Sequence, residues 1–158
     1  MIKVYWNGKT ELDLTKIKPI EIDFDRIFIN KPKGGLWTAE NHDWICWCSG
    51  EEPHWIREFY YELEIDESQC WRIWTETDID NSPQIREPRG PCSLNKQMID
   101  YLTIAQNYKG VWVKGRDLHS NWHPISFNAW DVDTVLIFDP SIILSVTRIP
   151  IPNYEIAH

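Results

Sequence analysis

The sequence predicts a single α+β domain in which strands outnumber helices, and three observations support this. A chain of 158 residues has the length of one domain and is long enough to bury a core without cross-links. Short runs of alternating apolar residues, separated by Gly, Pro, Asn and Asp, are typical of strands. Two other segments place apolar residues at helical spacing. Because the chain has no internal repeat, we expect residues 1–158 to form one domain.

The alternating runs predict a series of short strands along the whole chain. They cover residues 2–6, 35–39, 59–65, 70–75, 110–113, 134–139 and 142–149. In residues 19–30 the alternation changes phase after Phe24. A change of phase places successive apolar side chains on opposite faces, so this segment predicts a strand pair or a bulged strand.

One helix is predicted over residues 41–51. Trp44, Trp47 and Cys48 recur there at i, i+3 and i+4, on one helical face. Large aromatic side chains are used most often in cores, so we expect Trp47 to be buried. Trp37 instead follows a pair of glycines at the start of a strand. We therefore expect it to be partly accessible and to border the main cleft.

The clearest helical pattern covers residues 93–108, with either Ser93 or Asn95 as the N-terminal cap. We expect this helix to pack against the last three strands of the chain. Its apolar stripe consists of Leu94, Met98, Tyr101, Leu102 and Ala105. The preceding residues 77–92 contain three prolines and a glycine, and they are predicted to form a loop.

The net charge of −8 is concentrated in the middle of the chain, where residues 40–90 hold thirteen acidic and four basic residues. An acidic surface repels phosphates, which argues against a broad nucleic-acid footprint. Three interpretations of the acidic segment remain open. It is suited to a basic protein partner or to mimicry of nucleic acid, and it is typical of a solvated face that maintains solubility, which is the favoured interpretation.

A cytoplasmic location is predicted, with no membrane interaction. No stretch approaches the roughly 20 apolar residues that a membrane span requires, and the first residues lack the apolar region of a secretory signal. Cysteines stay reduced in the cytosol. We therefore expect the four cysteines, Cys46, Cys48, Cys70 and Cys92, to be free thiols.

Two groups of residues are candidates for a metal or catalytic site. Cys46 and Cys48 lie two apart in the first predicted helix, where their side chains point about 200° apart and cannot face one ion. They are interpreted as small buried hydrophobes, and no metal site is predicted. His119 and His123, with Asp117 nearby, form a second candidate cluster on a polar loop.

Residues 31–35, KPKGG, combine two lysines and two glycines. They lack the pattern of a Walker phosphate loop. Two interpretations remain. In one, the glycines let backbone N–H groups approach a phosphate, and in the other the segment is a plain tight turn. The tight turn is the favoured interpretation.

Two pairs of segments resemble known families. GGLWTA at 34–39, followed by DWICWC at 43–48, resembles the K-P-x-G-L-W-x-S…W…W-C segment of small proteins encoded by phages and mobile elements. NYKGVWV at 107–113 and WDVDTVLIFDPSII at 130–143 resemble the Y-D-G-I-x-V…V-x-F-D-P-x-x-I ending of ADP-ribosyltransferase-like domains. The opening KVYWNG occupies the place of the first pocket strand in those domains.

This resemblance implies two strand groups around a cleft that holds NAD, with the nicotinamide between aromatic side chains. Tyr5 falls on the first motif and Thr38 on the second, and Trp37 and Trp44 are implied to line the site. Family enzymes also use a late acid. The candidates for that acid, in order of preference, are Asp131 and Asp117, and Asp133 is a third.

The first motif departs from the family pattern, because Trp6 and Asn7 stand where an Arg or His is expected. Two functions therefore follow from the resemblance. One is an ADP-ribosyltransferase-like protein that binds NAD or a related nucleotide and transfers ADP-ribose to a host macromolecule. The other is a non-catalytic, anti-CRISPR-like anti-defence inhibitor that binds a host protein or sequesters a nucleotide. If the chain is phage-encoded, the expected location is the host bacterial cytosol.

Overall fold

The computed structural model describes residues 1–87 and 96–153. The strands are β1 (Ile2–Gly8), β2 (Leu36–Glu40), β3 (Phe59–Ile65), β4 (Cys70–Ile73), β5 (Gln84–Glu87), β6 (Lys96–Ile99), β7 (Gly110–Lys114), β8 (Asp133–Ile137) and β9 (Ile143–Arg148). The helices are α1 (Asp43–Glu51), α2 (Glu76–Asp80), α3 (Tyr101–Asn107) and α4 (Gly115–Leu118), and short 3₁₀ turns connect several elements. This mixture confirms the α+β class. No helix among the described residues has the length and apolar character needed to cross a membrane.

Seven strands form one sheet in the order β4-β7-β8-β2-β1-β3-β9. Strands β4 and β7 run parallel, and every other neighbouring pair in this sheet is antiparallel. Strands β5 and β6 form a separate two-stranded sheet. The strands predicted near both ends and in the middle of the chain therefore join in one sheet.

The pairing between β1 and β2 is much shorter than its neighbours. It consists of two residue pairs, Val4 with Glu40 and Tyr5 with Ala39. By contrast, β1 pairs with β3 through seven residue pairs, and β2 pairs with β8 through four. Beyond Tyr5 the two strands part, which divides the sheet into the groups β4-β7-β8-β2 and β1-β3-β9. A gap between these groups is the consequence.

Each face of the large sheet carries its own hydrophobic core. One face buries Val111 and Leu136 against α3 and the chain around Phe127 and Trp130. The other face buries a second cluster, which includes Val4, Leu63, Trp112, Val135 and Ile142. Successive residues of a strand point to opposite faces, and both faces of this sheet are buried under a core. Strands β7 and β8 are therefore almost continuously apolar.

The strand pair predicted in residues 19–30 is wrong. The segment forms a single bridge between Glu21 and Lys33, followed by the 3₁₀ turn Phe24–Ile29. Its apolar residues are not buried together, because Ile27 is fully buried whereas the side chain of Phe24 is 52% exposed. Local hydrogen bonds, such as the one from the Arg26 N–H to the Asp23 carbonyl, replace the ladder that a strand pair would have formed.

The helix predicted over residues 93–108 is correct only in its second half. Residues 93–95, with both proposed caps and Leu94, lie outside the described residues. Lys96–Ile99 is strand β6, and α3 begins after Asp100, whose carboxylate accepts a hydrogen bond from the Thr103 N–H. Met98 is buried, but it lies in strand β6 and not in a helix. Leu102 lies in α3 and is about half exposed. Four residues of a strand and the helix that follows produce an apolar spacing that resembles one longer helix.

The loop predicted over residues 77–92 is also wrong in its described part. It contains most of α2 and all of β5, and β5 pairs with β6. Helix α2 starts with a capping box, in which the Thr75 hydroxyl accepts from the Asp78 N–H and the Asp78 carboxylate accepts from the Thr75 N–H. This local signal is sufficient to start a helix in a polar segment.

Trp47 is not buried in the core, contrary to the prediction. Helix α1 turns Ile45 and Cys48 inward. Trp47 remains partly exposed and stacks on Trp44 at 5.5 Å between ring centroids, and it lies 5.7 Å from Trp55. The helix forms as predicted, but it buries the face that carries the smaller side chains of Ile45 and Cys48.

Two glycines determine where β2 begins. Gly34 and Gly35 have φ angles of +84° and +70°, which other residues rarely adopt, and the Gly35 N–H donates a 2.8 Å hydrogen bond to the Lys18 carbonyl. A Cβ atom on Gly34 would lie 2.1 Å from the Pro19 carbonyl oxygen. The chain therefore bends at residues 34–35, directly before β2 begins at Leu36.

Replacement of Gly34 by Ala should destabilise the protein by about 1–3 kcal/mol, because a strained backbone conformation costs energy of that order. The matched control is Gly50→Ala, since Gly50 lies in α1 and a Cβ atom there would meet nothing within 4 Å. That substitution should be neutral or should stabilise by up to about 1 kcal/mol. Urea unfolding measures both values, and equal midpoints for the two variants would contradict the role of Gly34.

Candidate functional site

A cleft of about 300 Å³ lies where β1 and β2 part. Residues from β1, from β2, from α1 and from the chain before β8 line it. The lining residues are Tyr5, Trp6, Asn7, Lys31, Trp37, Thr38, Ala39, Trp44, Ala129, Trp130, Asp131, Val132 and Thr134. Five of these side chains are aromatic, and the cleft is therefore built to contact a flat or apolar group. Its volume is that of a small ligand site.

Trp37 and Trp130 form the inner aromatic wall. Their ring centroids lie 5.2 Å apart with a 48° angle between the ring planes. Trp130 is almost fully buried and packs against Phe127 at 5.7 Å, whereas Trp37 is partly exposed. This confirms that Trp37 is partly accessible and borders the cleft.

Asn30 fixes the position of Trp130. It is fully buried and adopts a left-handed conformation with φ of 54°. Its backbone carbonyl accepts hydrogen bonds from the Trp130 indole N–H at 3.0 Å and from the Tyr101 hydroxyl at 2.9 Å. Its side-chain oxygen accepts from the Ile99 N–H at 2.9 Å. One residue therefore ties α3, β6 and the cleft wall together, directly before Lys31 in the chain.

Asp131 is the acidic residue that lines the cleft, and its side chain is 30% exposed. Its Oδ1 atom lies 3.9 Å from Nε2 of His119. Because β8 begins only at Asp133, the backbone at residues 130–131 is not yet extended in the sheet. Trp130 and Asp131 consequently both contact the cleft, whereas in a regular strand they would face opposite sides.

The other two acid candidates lie outside the cleft lining. Asp133 accepts a hydrogen bond from the Arg116 N–H at 3.1 Å and lies 3.9 Å from Lys114 Nζ. Burial raises its pKa. Asp117 is exposed on the short helix α4. Of the three acid candidates, Asp131 is therefore the one in the cleft lining, directly before strand β8 begins at Asp133.

Tyr5 forms the opposite wall of the cleft. Its hydroxyl donates to Glu62 at 3.0 Å, and burial together with this carboxylate raises the pKa of Tyr5 to about 12. Its ring packs against His42 at 4.4 Å and against Tyr60 at 5.7 Å. Tyr5 is therefore a neutral aromatic surface at physiological pH. Trp44 completes this side of the lining from α1.

Thr38 and Asn7 line the cleft but use their polar groups elsewhere. The Thr38 hydroxyl is buried and donates to the Val135 carbonyl at 2.7 Å, across the β2–β8 pairing. The Asn7 amide N–H₂ donates to the carbonyls of Arg57 and Phe59, at 2.9 and 2.8 Å. Both side chains hold strands in place. Thr38 forms part of the cleft wall, but its hydroxyl proton is already donated to the Val135 carbonyl.

The cluster suggested by the two loop histidines is not formed. His123 lies 2.7 Å from Asp80, and its other ring nitrogen accepts from the Ile125 N–H, whereas His119 faces Asp131. No group of three or more potential metal ligands occurs among the described residues. Cys46 is exposed, and Cys48 and Cys70 are buried free thiols. Cys92 lies outside the described residues.

Among the cleft residues that the resemblance did not single out, Lys31 carries a charge and Trp130 a large aromatic ring. The Lys31 ammonium lies 5.5 Å from the Trp37 ring centroid and 5.8 Å from that of Trp130. Burial lowers the pKa of Lys31. In the sequence, Lys31 lies near a glycine pair and Trp130 lies next to an aspartate. Neither of these local patterns reveals that the Lys31 and Trp130 side chains meet in the fold.

Comparison with protein-family models, curated proteins and solved structures found no match to this chain. The cleft is therefore interpreted from its own geometry and chemistry.

Replacing tryptophan by alanine should cost more stability in the cleft wall than in the surface cluster of Trp47 and Trp55. Trp130→Ala should destabilise by about 3–5 kcal/mol, because it removes a large, fully packed side chain and its buried hydrogen bond. Trp47→Ala, with a partly exposed ring, should cost at most about 2 kcal/mol. Chemical unfolding of both variants tests the assignment, which would be reversed if Trp47→Ala proved the more damaging change.

Proposed function

We propose that the cleft binds NAD or a closely related nucleotide, in the manner of an ADP-ribosyltransferase-like domain. One observation supports this most. Tyr5, Trp37, Thr38, Trp44 and Asp131, which the resemblance singled out from separate parts of the sequence, all line one cleft between two strand groups. Tyr5, residues 37–44 and Asp131 lie far apart in the chain and meet only through the fold, so their convergence supports the resemblance.

The proposed chemistry uses the aromatic walls and the acid in different ways. Trp37 and Tyr5 offer ring surfaces for the flat nicotinamide, and they exclude water from it. Asp131 offers a negative charge beside the ribose. When the bond between ribose C1 and the nicotinamide nitrogen breaks, its electron pair leaves with nicotinamide and positive charge develops on the ribose. A nearby carboxylate stabilises that charge until a nucleophile bonds to C1 and loses its proton.

A non-catalytic binding protein is the second candidate, and two observations favour it. Asn7 stands where the family pattern has an Arg or His, and its amide is bonded to the backbone of the neighbouring strand segment. The Thr38 hydroxyl proton is likewise held by the Val135 carbonyl. In this alternative, the cleft sequesters a nucleotide, or the acidic residues 40–90 bind a basic host protein, and no bond is broken.

Release of nicotinamide from NAD tests the enzymatic proposal directly. Asp131→Asn should lower the rate about 100-fold or more, as removal of one charge-stabilising group typically does, while NAD still quenches tryptophan fluorescence. Asp117→Asn makes the same chemical change outside the cleft and should leave the rate unchanged.

Each other outcome of this assay favours a different interpretation. NAD quenching without nicotinamide release by the wild-type protein would support the binding protein instead. If Asp117→Asn abolished release and Asp131→Asn did not, the assignment of the acid would be wrong. Absence of both quenching and release would reject the nucleotide cleft.

A further inference from the structure

Lys31 is the basic side chain in the cleft lining, and its charge lies against the aromatic wall. Its Nζ atom is 5.5 Å from the Trp37 ring centroid and 5.8 Å from the Trp130 ring centroid. The negative faces of the two indoles attract the ammonium group. The lysine is therefore held over the surface on which a flat ligand group would rest.

One acidic and one basic side chain act on the partly buried ammonium group of Lys31. Burial lowers its pKa, Asp131 opposes this effect, and Arg26 lowers the pKa further because it is a second positive charge nearby. His119 faces Asp131 at 3.9 Å. Among the described residues the ion pairs do not include Lys31, so Asp131 acts on it only over a longer distance. A bound anion would relieve both the desolvation and the repulsion.

We infer that Lys31 binds the diphosphate of the nucleotide whose flat ring contacts the aromatic wall. This inference rests on the proposed function, because it assigns one part of the same ligand to one residue. A lysine binds phosphate oxygens as a compact point charge and donates up to three hydrogen bonds to them. A groove with a volume of about 940 Å³ shares Trp6 and Trp37 with the cleft and leaves room for the rest of a dinucleotide.

The test compares two lysines of the same segment. Lys31→Gln removes the charge in the cleft, and Lys33→Gln removes an exposed charge two residues away, outside the cleft lining. Tryptophan fluorescence is titrated with ADP, adenosine, inorganic pyrophosphate and NAD. Lys31→Gln should weaken ADP binding about tenfold or more, since a charged hydrogen bond is lost. Adenosine, which has no phosphate, should bind both variants and the wild type within about twofold.

Two further variants keep the test decisive. Lys31→Arg preserves the charge and should retain ADP binding within about threefold of wild type. Lys31→Met preserves the aliphatic packing on the two rings without the charge and should behave like Lys31→Gln. If Lys31→Met bound ADP as tightly as the wild type, Lys31 would only support the tryptophan rings and the inference would be wrong.

Failure of the inference is distinguishable from failure of the proposed function. If ADP and pyrophosphate bind in a Lys31-dependent way and NAD does not bind, the diphosphate site stands and the NAD proposal fails. If NAD binds equally well to wild type and Lys31→Gln, the NAD proposal stands and the diphosphate assignment is overturned.

The same site predicts a pH dependence. Only the protonated amine attracts the diphosphate, and the pKa of Lys31 is lowered from 10.5 in the free protein. The affinity for ADP should therefore fall as the pH rises through the alkaline range below 10.5. The charged groups that face Lys31 are Arg26 and Asp131. Lys31→Gln should show a flat profile there, and an equally steep fall in that variant would contradict the assignment.

Discussion

The arrangement of the cleft depends on the short pairing between β1 and β2. Two residue pairs join these strands, and beyond Tyr5 they separate, although each continues to pair with its outer neighbour. A fully paired sheet would leave no space at this point. The early end of the pairing joins the two strand groups firmly enough to share one sheet and still opens a volume of about 300 Å³ between them.

The walls of this gap are held by polar groups that do not face the ligand space. Asn30 accepts three hydrogen bonds and so fixes Trp130, while Thr38 bonds to β8 and Asn7 bonds to the backbone beside β3. These hydrogen bonds are made within the protein, as those of buried groups generally are, although the Asn30 Nδ2 atom is buried without a partner. The groups left to interact with a ligand are aromatic faces, one carboxylate and one ammonium group.

Strand positions were largely predictable because period-two alternation is a local signal. The same reasoning failed where two elements adjoin. Lys96–Ile99 and α3 together imitate one helix, and the phase change near Phe24 reflects a 3₁₀ turn rather than paired strands. The side chains of Tyr5, Trp37 and Asp131 were identified through motifs. Lys31 was not, because its environment depends on Trp130, which lies about a hundred residues further along the chain.

The indole N–H signals in a ¹⁵N NMR spectrum test most directly whether this cleft is the ligand site. Each of the ten tryptophans contributes one signal. Addition of NAD should shift the signals of Trp37 and Trp130 and leave Trp122, which is 99% exposed and outside the lining, unchanged. Shifts confined to the surface cluster of Trp47 and Trp55, or no shifts at saturating NAD, would contradict the account.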